Sequence, residues 1–334
     1  MCNVSKKVKE GVTRMAGTQR TVINEGKLRP TLKRNSLLSH IIQDSGLYVL
    51  LLPAIIYAAI FLYAPMGGVV IAFKNYSPVK GIWGSPWVGF KYFEKFLTAY
   101  NFKSIFANTI WLSIYSTVAM FPIPIVFALL LNQMRMKKLK SLVQTVSYMP
   151  HFISVVVLVG MMNVFFSPST GLVNNIIEKF GGQAVYFMGE AKLFRHMYVW
   201  TSVWQDMGRT AIIYIAALTG IAAELHEAAM VDGASKLQRT FYIDLPGIMP
   251  TAVIMLILNV GRMLSIGFEK AFLMQNPLNL ETAEIISTYV YKVGLLNAQF
   301  SLSTAVGLFN SAISLVLVLL VNFVAGKLSD TSLF

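Results

Sequence analysis

The chain has 334 residues, of which 55% are hydrophobic and only 13% are charged, whereas a soluble domain carries about 25% charged residues. Several uncharged stretches exceed the roughly 20 residues that span a bilayer, so the composition excludes an ordinary soluble domain and indicates an integral membrane protein. The net charge of +13 does not indicate a nucleic-acid partner, because 9 of the 28 lysines and arginines precede the first apolar stretch, where they fit the positive-inside rule and anionic membrane lipid.

Residues 1–40 are predicted to form a basic cytoplasmic N-terminal tail. The tail has no apolar h-region, so we predict no cleavable signal peptide and expect the first span to serve as the insertion signal. The only cysteine is Cys2, which leaves neither a disulfide nor a cysteine-based metal site. Histidine, cysteine and acidic residues nowhere show metal-ligand spacing, and we predict no metal site.

The remainder, residues 41–334, is predicted to be an all-α membrane domain with six transmembrane helices. The predicted spans cover about 46–73, 105–131, 143–166, 195–219, 248–267 and 303–325. Six spans place both termini on one side of the membrane. The very basic connection Arg135–Lys140 indicates that this side is cytoplasmic, together with the loop 220–247. The connections at about 74–103, 168–192 and 268–300 then face outward and are predicted to be short ordered caps.

Spans 3 and 4 contain polar residues at membrane depth, where a charge costs about 2.5–3.5 kcal/mol on insertion scales. His151 in span 3 is isolated, and a lone histidine is more often a packed residue than a ligand. Asp206 and Arg209 in span 4 are three residues apart and share a helical face. The pair is either an internal salt bridge or part of a substrate path. Gly208 between them allows a close helix contact or a local break.

The loop 220–247 holds several charged residues between two apolar spans. Leu225–Val231 favours helix, and Gly233 suits a helix terminator. Ser235 is a candidate N-cap of a second short helix, and Pro246 suits the first turn of span 5. The predicted result is a helix–turn–helix elbow, which from spacing alone is either a solvated loop or a docking element.

Span 5 contains Asn259 and Arg262 on one face, where they either bond a neighbouring subunit or line a path. Arg262 together with Arg209 suits an anionic sugar such as a uronic acid. The two arginines are equally well neutralised by Asp206 and Glu269, so the sequence leaves both interpretations open.

The elbow also carries a spaced pattern, with E-A-A at Glu227–Ala229, Gly233 after three further residues, and I-x-L-P at Ile243–Pro246. This pattern resembles the cytoplasmic EAA loop of permease subunits in bacterial binding-protein-dependent ABC importers. The stretch EAAMVDGAS resembles their carbohydrate (MalF-like) branch. PMGGVVIAFKNYSP, GSPWVGF, QTVSYMPHFIS and TYVYKVGLLNAQFSLSTAVGLF resemble the LplB-type polysaccharide or complex-oligosaccharide permeases. The resemblance covers nearly the whole chain from about residue 40.

The resemblance implies the type I permease fold of ABC importers in the bacterial cell membrane. It implies a second homologous permease subunit, a cytoplasmic ATPase dimer and an extracellular substrate-binding protein as partners, with an oligosaccharide as cargo moved by alternating access. The residues that it assigns to ATPase coupling are Glu227, Ala228, Ala229, Asp232, Gly233, Ile243, Leu245 and Pro246. The residues that it favours along the substrate path are Ser202, Trp204, Gln205, Asp206, Arg209, Asn259, Arg262 and Met263.

The sequence contains no G-x-x-x-x-G-K-[ST] loop, whose backbone amides would cradle a nucleotide phosphate. We therefore expect this chain to bind no cofactor and to be a transport subunit, not an enzyme, with ATP and Mg²⁺ held by the partner ATPase. Three alternatives are kept: an ABC permease for a peptide or another non-sugar solute, an ion-coupled transporter with a proton on Asp206, and a membrane enzyme using Asp206 and His151.

Overall fold

The computed structural model describes residues 45–261, 263–265 and 267–328. The predicted basic tail at 1–40 and Arg262 lie outside the described residues. The chain divides into two compact units at Ala64. The first unit contributes the described helix from Ser45, and the second, Pro65–Phe334, contains the helices discussed below.

The described residues are predominantly helical, and the sequence explains why: long apolar runs must satisfy their backbone hydrogen bonds internally in lipid. The α-helices in chain order are α1 Ser45–Ala58, α2 Gly81–Gly84, α3 Lys91–Leu97, α4 Phe102–Met120, α5 Pro122–Asn132, α6 Lys137–Tyr148, α7 Val155–Phe165, α8 Leu172–Lys179, α9 Ala191–Thr219, α10 Ala223–Val231, α11 Lys236–Arg239, α12 Leu245–Gly261, α13 Phe268–Met274, α14 Leu280–Ala283, α15 Ile286–Tyr291 and α16 Phe300–Leu328, with a short turn of helix at Ala64–Met66. π-Helical stretches occupy Ala59–Tyr63, Thr240–Asp244 and Lys292–Leu296, and 3₁₀ stretches occupy Gly67–Phe73, Met149–Phe152 and Met263–Ser265.

The spans confirm the predicted six-helix membrane fold. Four helical segments are long and apolar enough to cross a bilayer: Ser45–Phe73, Phe102–Asn132, Lys236–Gly261 and Phe300–Lys327. Two bent helix pairs, each counted as one span, bring the number in the described part of the chain to six. These pairs are α6 with α7, and α9 with α10, bent by 98° and 72°.

Span 3 is therefore not one straight helix over the predicted 143–166. Its two halves meet at the 3₁₀ stretch Met149–Phe152. Pro150 lacks a backbone N–H and its ring clashes with the preceding turn, which favours a break in the α-helix at this point. Ser154 then caps α7, because its hydroxyl oxygen accepts a hydrogen bond from the Val157 amide.

Span 5 differs from the predicted 248–267 at both ends. The helix begins at Lys236 and ends at Gly261, so the second half of the elbow is continuous with the span. Pro246 lies in the first turn of α12 as predicted, but no helix begins there. The π-helical stretch Thr240–Asp244 precedes the proline and shifts the hydrogen-bond register, which accommodates the missing amide.

Helix α9 is the central element of the main unit. One face of it packs in a cluster with Leu112, Leu158 and Ala271, and its second half packs with Ile125 and Ile248. In a bilayer, close packing rather than removal of apolar surface from water holds such helices together. The buried side of α9 thus connects spans 2, 3 and 5 around it.

Side-chain hydrogen bonds connect the predicted outer connections to the ends of the spans. Asn108 on α4 donates to the Glu281 carbonyl at 2.7 Å, and Asn279 donates to the Met188 carbonyl at 2.9 Å. Thr282 bonds the Ala191 carbonyl at 2.6 Å, at the first residue of α9. These bonds join the connection 268–300 to α4, to Met188 and to the start of α9, so this connection is ordered, as predicted.

Candidate functional site

A polar cleft of about 200 Å³ opens between α4, α9 and α12. Its lining residues are Ser113, Ser116, Thr117, Met120, Arg209, Thr210, Met255, Asn259 and Met263. Three of them, Arg209, Asn259 and Met263, are residues that we predicted for the substrate path, and the structure brings them together from two different spans. Arg262 lies outside the described residues, so its predicted place on the path stays a prediction.

The hydroxyls of α4 were missed at the sequence level. Ser113 donates to the Met263 carbonyl at 2.6 Å and so fixes the segment that follows α12. The Ser116 Oγ is buried and has no hydrogen-bond partner among the described residues. The available signal was the set Ser113, Ser116 and Thr117 in an otherwise apolar span, whose i, i+3, i+4 spacing places them on one face.

Asp206 lies near the middle of α9, where it joins two cationic or potentially cationic groups. Its Oδ1 is 3.3 Å from Arg209 Nε and 2.9 Å from His151 Nδ1. The side chains are 29% exposed for Asp206, 46% for Arg209 and 35% for His151. The predicted pair is therefore a partly exposed cluster of three residues, and His151 is a member that sequence reasoning treated as a packed residue.

Gly208 explains how His151 reaches Asp206. A Cβ added at Gly208 would overlap the Ser147 carbonyl oxygen, so α9 and the end of α6 are in backbone contact. Helix α9 is unbroken at this point, so the close-contact interpretation of Gly208 is confirmed over the local break. This contact places the 3₁₀ stretch that carries His151 directly beside Asp206.

The other predicted span 4 residues occupy different environments. Gln205 is 8% exposed and donates to the Ile153 carbonyl at 2.8 Å, just after the break in span 3. The Ser202 hydroxyl donates to the Tyr198 carbonyl and accepts from Lys270 at 2.7 Å. Trp204 is 44% exposed. Ser202 and Gln205 are thus engaged within the protein, while Trp204 presents an open aromatic face.

The predicted elbow is confirmed in its local structure. Helix α10 ends in a turn in which Gly233 has φ +78° and the Ala234 amide bonds the Ala229 carbonyl at 2.8 Å, as in a glycine-terminated helix. Ser235 then caps α11, and Gln238 returns a side-chain bond to its amide, which completes a capping box.

The elbow presents its motif residues outward. Glu227, Ala228, Asp232 and Gly233 are exposed, whereas Ala229, Ile243 and Leu245 are partly buried. Neither acidic side chain forms an ion pair with a described residue. Small alanine side chains and two uncommitted carboxylates make this surface suitable for a protein partner that approaches closely.

A buried carboxylate, which we did not predict, connects the elbow to the spans. Asp244 is fully buried, and its Oδ1 lies 3.3 Å from His226 Nε2 on α10. Gln133 at the end of α5 donates to Asp244 Oδ2 at 3.2 Å and to the Thr240 hydroxyl at 2.8 Å. Asp244 thus contacts α10 through His226 and the end of span 2 through Gln133.

Comparison with known proteins finds close relatives over most of the chain. It is 43% identical over 302 residues to the polygalacturonan/rhamnogalacturonan transport system permease protein YteP of Bacillus subtilis, covering 90% of this chain and 94% of the relative. It is 42% identical over 292 residues to protein LplB of the same organism, covering 87% and 92%. A solved bacterial ABC transporter involved in the import of the acidic polysaccharide alginate contains a chain that matches with a TM-score of 0.82, 40% identity and coverage of 88% and 99%.

The family model described as the binding-protein-dependent transport system inner membrane component matches residues 121–330. This range includes the elbow and the cleft residues of α9 and α12. The resemblance inferred from the EAA pattern is therefore confirmed, and the chain belongs to the family of inner membrane components of binding-protein-dependent transport systems.

Proposed function

We propose that this chain is one of two homologous permease subunits of an ATP-driven importer, and that its cargo is an acidic oligosaccharide released from a polysaccharide. The observation that carries the proposal is the polar cleft between α4, α9 and α12. Sugar hydroxyls need donors and acceptors at membrane depth, and the cleft offers Ser116, Thr117 and Asn259. The buried Ser116 Oγ without a protein partner is suited to a hydroxyl of the cargo or to water.

The acidic character of the cargo rests on Arg209. Only its Nε bonds Asp206 among the described contacts, the two terminal amino groups have no hydrogen bond among them, and Arg209 lines the cleft. A guanidinium presents its donors in a fork that matches a carboxylate. A uronic acid carboxylate fits this fork, and the similarity to permeases for polygalacturonan and alginate supports the same class of cargo.

The elbow supports the role of ATPase partners. We place the loop 220–247 and both termini on the cytoplasmic side, where Glu227, Ala228, Ala229, Asp232 and Gly233 contact a cytoplasmic ATPase dimer. ATP and Mg²⁺ belong to that dimer. An extracellular substrate-binding protein delivers the oligosaccharide to the outer caps, and the cleft then faces outward and inward in turn.

Uptake of a uronate oligosaccharide by the complete transporter tests the cargo. Labelled oligogalacturonate and its neutral methyl ester are compared in cells that carry wild type, Arg209→Gln or Arg209→Lys. We expect wild type to favour the free acid. Arg209→Gln should lower uptake of the acid by about tenfold, because a hydrogen bond to a charged group contributes about 1.5–3 kcal/mol, and Arg209→Lys should retain part of it.

The methyl ester is the matched control, since it keeps the ring hydroxyls and replaces each charged carboxylate by a neutral ester that is larger by one methyl group. Its uptake should change little in Arg209→Gln. A wild-type preference for the ester, or an equal loss of both substrates in Arg209→Gln, would contradict an acidic cargo. Absence of uptake of every oligosaccharide tried would contradict the sugar assignment itself.

A further inference from the structure

An apolar groove of about 420 Å³ lies between α5 and the helix that runs from α11 into α12. On one side it is lined from Phe121 to Gln133, and on the other from Leu237 to Ala252. Its walls are open to the surroundings, since Leu130 is 64% and Phe241 is 61% exposed. The groove is separate from the polar cleft, whose lining shares none of these residues.

The length of the groove fits one acyl chain of a lipid. The stretch from Phe121 to Gln133 extends over about 18 Å at 1.5 Å per residue, close to the roughly 15 Å depth of one leaflet of the hydrocarbon core. A single acyl chain that lies within one leaflet therefore matches the groove along its length.

One end of the groove is closed by a polar bridge and surrounded by positive charge. Gln133 donates to the Thr240 hydroxyl at 2.8 Å across the groove. Lys236 precedes Thr240 by four residues and so lies on the same helical face. Lys137 begins α6, four residues after Gln133. Neither lysine forms an ion pair among the described contacts, and both are exposed.

The acidic group at this end of the groove is Asp244, which is fully buried and accepts a hydrogen bond from Gln133, and its one ion-pair contact among the described residues is with His226 and not with a lysine. The stretch 133–144 holds Arg135, Lys137, Lys138 and Lys140, and the stretch 233–243 holds Lys236 and Arg239. The Arg239 Nε is buried without a hydrogen-bond partner among the described residues. An apolar slot of one leaflet's depth that ends at unpaired cations is complementary to a lipid with a negative headgroup.

We propose that this groove binds one acyl chain of an anionic phospholipid, whose phosphate is held by Lys236 and Lys137. The acyl chain packs on Leu237 and Phe241, in the part of the elbow that follows Gly233. The lipid therefore braces the second half of the elbow against span 2. This site is separate from the polar cleft, and it shares Leu245 with the residues assigned to ATPase coupling.

Photolabelling of the full chain tests the site directly. The chain is placed in phosphatidylcholine nanodiscs with a trace of phosphatidylglycerol that carries a diazirine in its acyl chain, and the labelled residues are mapped by mass spectrometry. The same probe with a phosphatidylcholine headgroup is run in parallel. We expect the phosphatidylglycerol probe to label 121–133 and 237–252 at least fivefold more, since each lysine near an anionic headgroup contributes about a fivefold preference.

Matched variants separate the headgroup contact from the acyl-chain contact. Lys137→Gln with Lys236→Gln should reduce phosphatidylglycerol labelling to the level of the phosphatidylcholine probe. Lys80→Gln with Lys91→Gln removes the same charge from exposed lysines elsewhere and should change nothing. Val126→Trp fills the groove from an exposed position and should reduce labelling by both probes, while labelling of the exposed face of α16 reports that the chain is folded.

Equal labelling by both probes, unaffected by the lysine variants, would overturn the proposed headgroup contact. Labelling confined to α16 and the other exposed spans, with none in the groove, would overturn the site and indicate that protein covers it. Loss of labelling in the variant of Lys80 and Lys91 to the same extent would overturn it too, because it would show a general effect of charge.

Discussion

One carboxylate oxygen of Asp206, Oδ1, contacts both His151 and Arg209. The Asp206–Arg209 contact follows from sequence spacing, because residues three apart share a helical face. The contact with His151 does not, because the two residues are 55 positions apart and meet only through the packing of Gly208 on Ser147. The sequence therefore predicted the Asp206–Arg209 contact within one helix but not the Asp206–His151 contact, which depends on tertiary packing.

Replacing Asp206 by Asn should leave folding nearly intact and impair transport. Removing one member of a fully buried pair typically costs about 3–5 kcal/mol, but Arg209 is 46% exposed and water in the cleft can solvate it. We expect membrane yield within about twofold of wild type. Uptake should fall by about tenfold, because Arg209 loses the charged hydrogen bond that orients it. Yield and uptake at saturating binding protein measure the two effects.

The double variant Asp206→Asn with Arg209→Gln is the control for a purely structural pair. It should not restore uptake if Arg209 contacts the cargo. A collapse in the yield of Asp206→Asn that the double variant repairs, together with normal uptake per molecule, would show that the cluster only stabilises the bundle. His151→Gln should give a smaller loss of uptake than Asp206→Asn, since it leaves Arg209 anchored.

At the scale of elements, the elbow was predictable because its signals are local. Gly233, Ser235 and Gln238 act within a few residues, through a left-handed turn and a capping box. The true start of the span 5 helix at Lys236 was not predictable, because the charged stretch resembles a loop and Pro246 resembles a helix start. The π-helical stretch at Thr240–Asp244 allows the helix to continue from Lys236 past Pro246. None of the residue patterns that we used predicts this π-helical stretch.

Substitutions at Gly233 distinguish the need for a left-handed backbone conformation from the need for close contact with the ATPase. Its φ of +78° is unfavourable for a side chain, yet a Cβ there would meet no atom within 4 Å. Gly233→Leu should therefore cost about 1–2 kcal/mol of local strain without preventing insertion. We expect it to abolish most co-purification of the ATPase and binding-protein-stimulated hydrolysis, because the side chain projects from the exposed elbow.

Gly233→Asn is the control, since asparagine adopts the left-handed conformation more readily than leucine. If the strain alone matters, Asn should restore co-purification almost completely. If a partner packs closely against this turn, Asn should restore it only in part. Wild-type co-purification and hydrolysis in Gly233→Leu would show that the turn does not dock.

At the scale of the whole molecule, hydropathy gave the number of spans, because an uncharged run of about 20 residues has few stable alternatives in lipid. It could not give the bend in span 3 or the cleft, which depend on how α4, α9 and α12 pack. The family membership makes this chain a transport subunit and not an enzyme, which removes the acid/base interpretation of His151 and Asp206. In the proposed function, the exposed elbow contacts the ATPase and the open cleft contacts the cargo.

The chain reconstituted alone should neither hydrolyse ATP nor move a sugar. It contains no G-x-x-x-x-G-K-[ST] loop in its full sequence, and without such a backbone cradle the phosphates of ATP have no comparable binding site. Liposomes with the chain alone are assayed for phosphate release and for uptake of labelled oligogalacturonate, with and without a proton gradient. Addition of the co-expressed second permease, ATPase and binding protein should produce both activities, and Gly233→Leu in that complete system should suppress them. Proton-driven uptake by the chain alone, abolished in Asp206→Asn, would instead establish an ion-coupled transporter and contradict the ATP-driven mechanism.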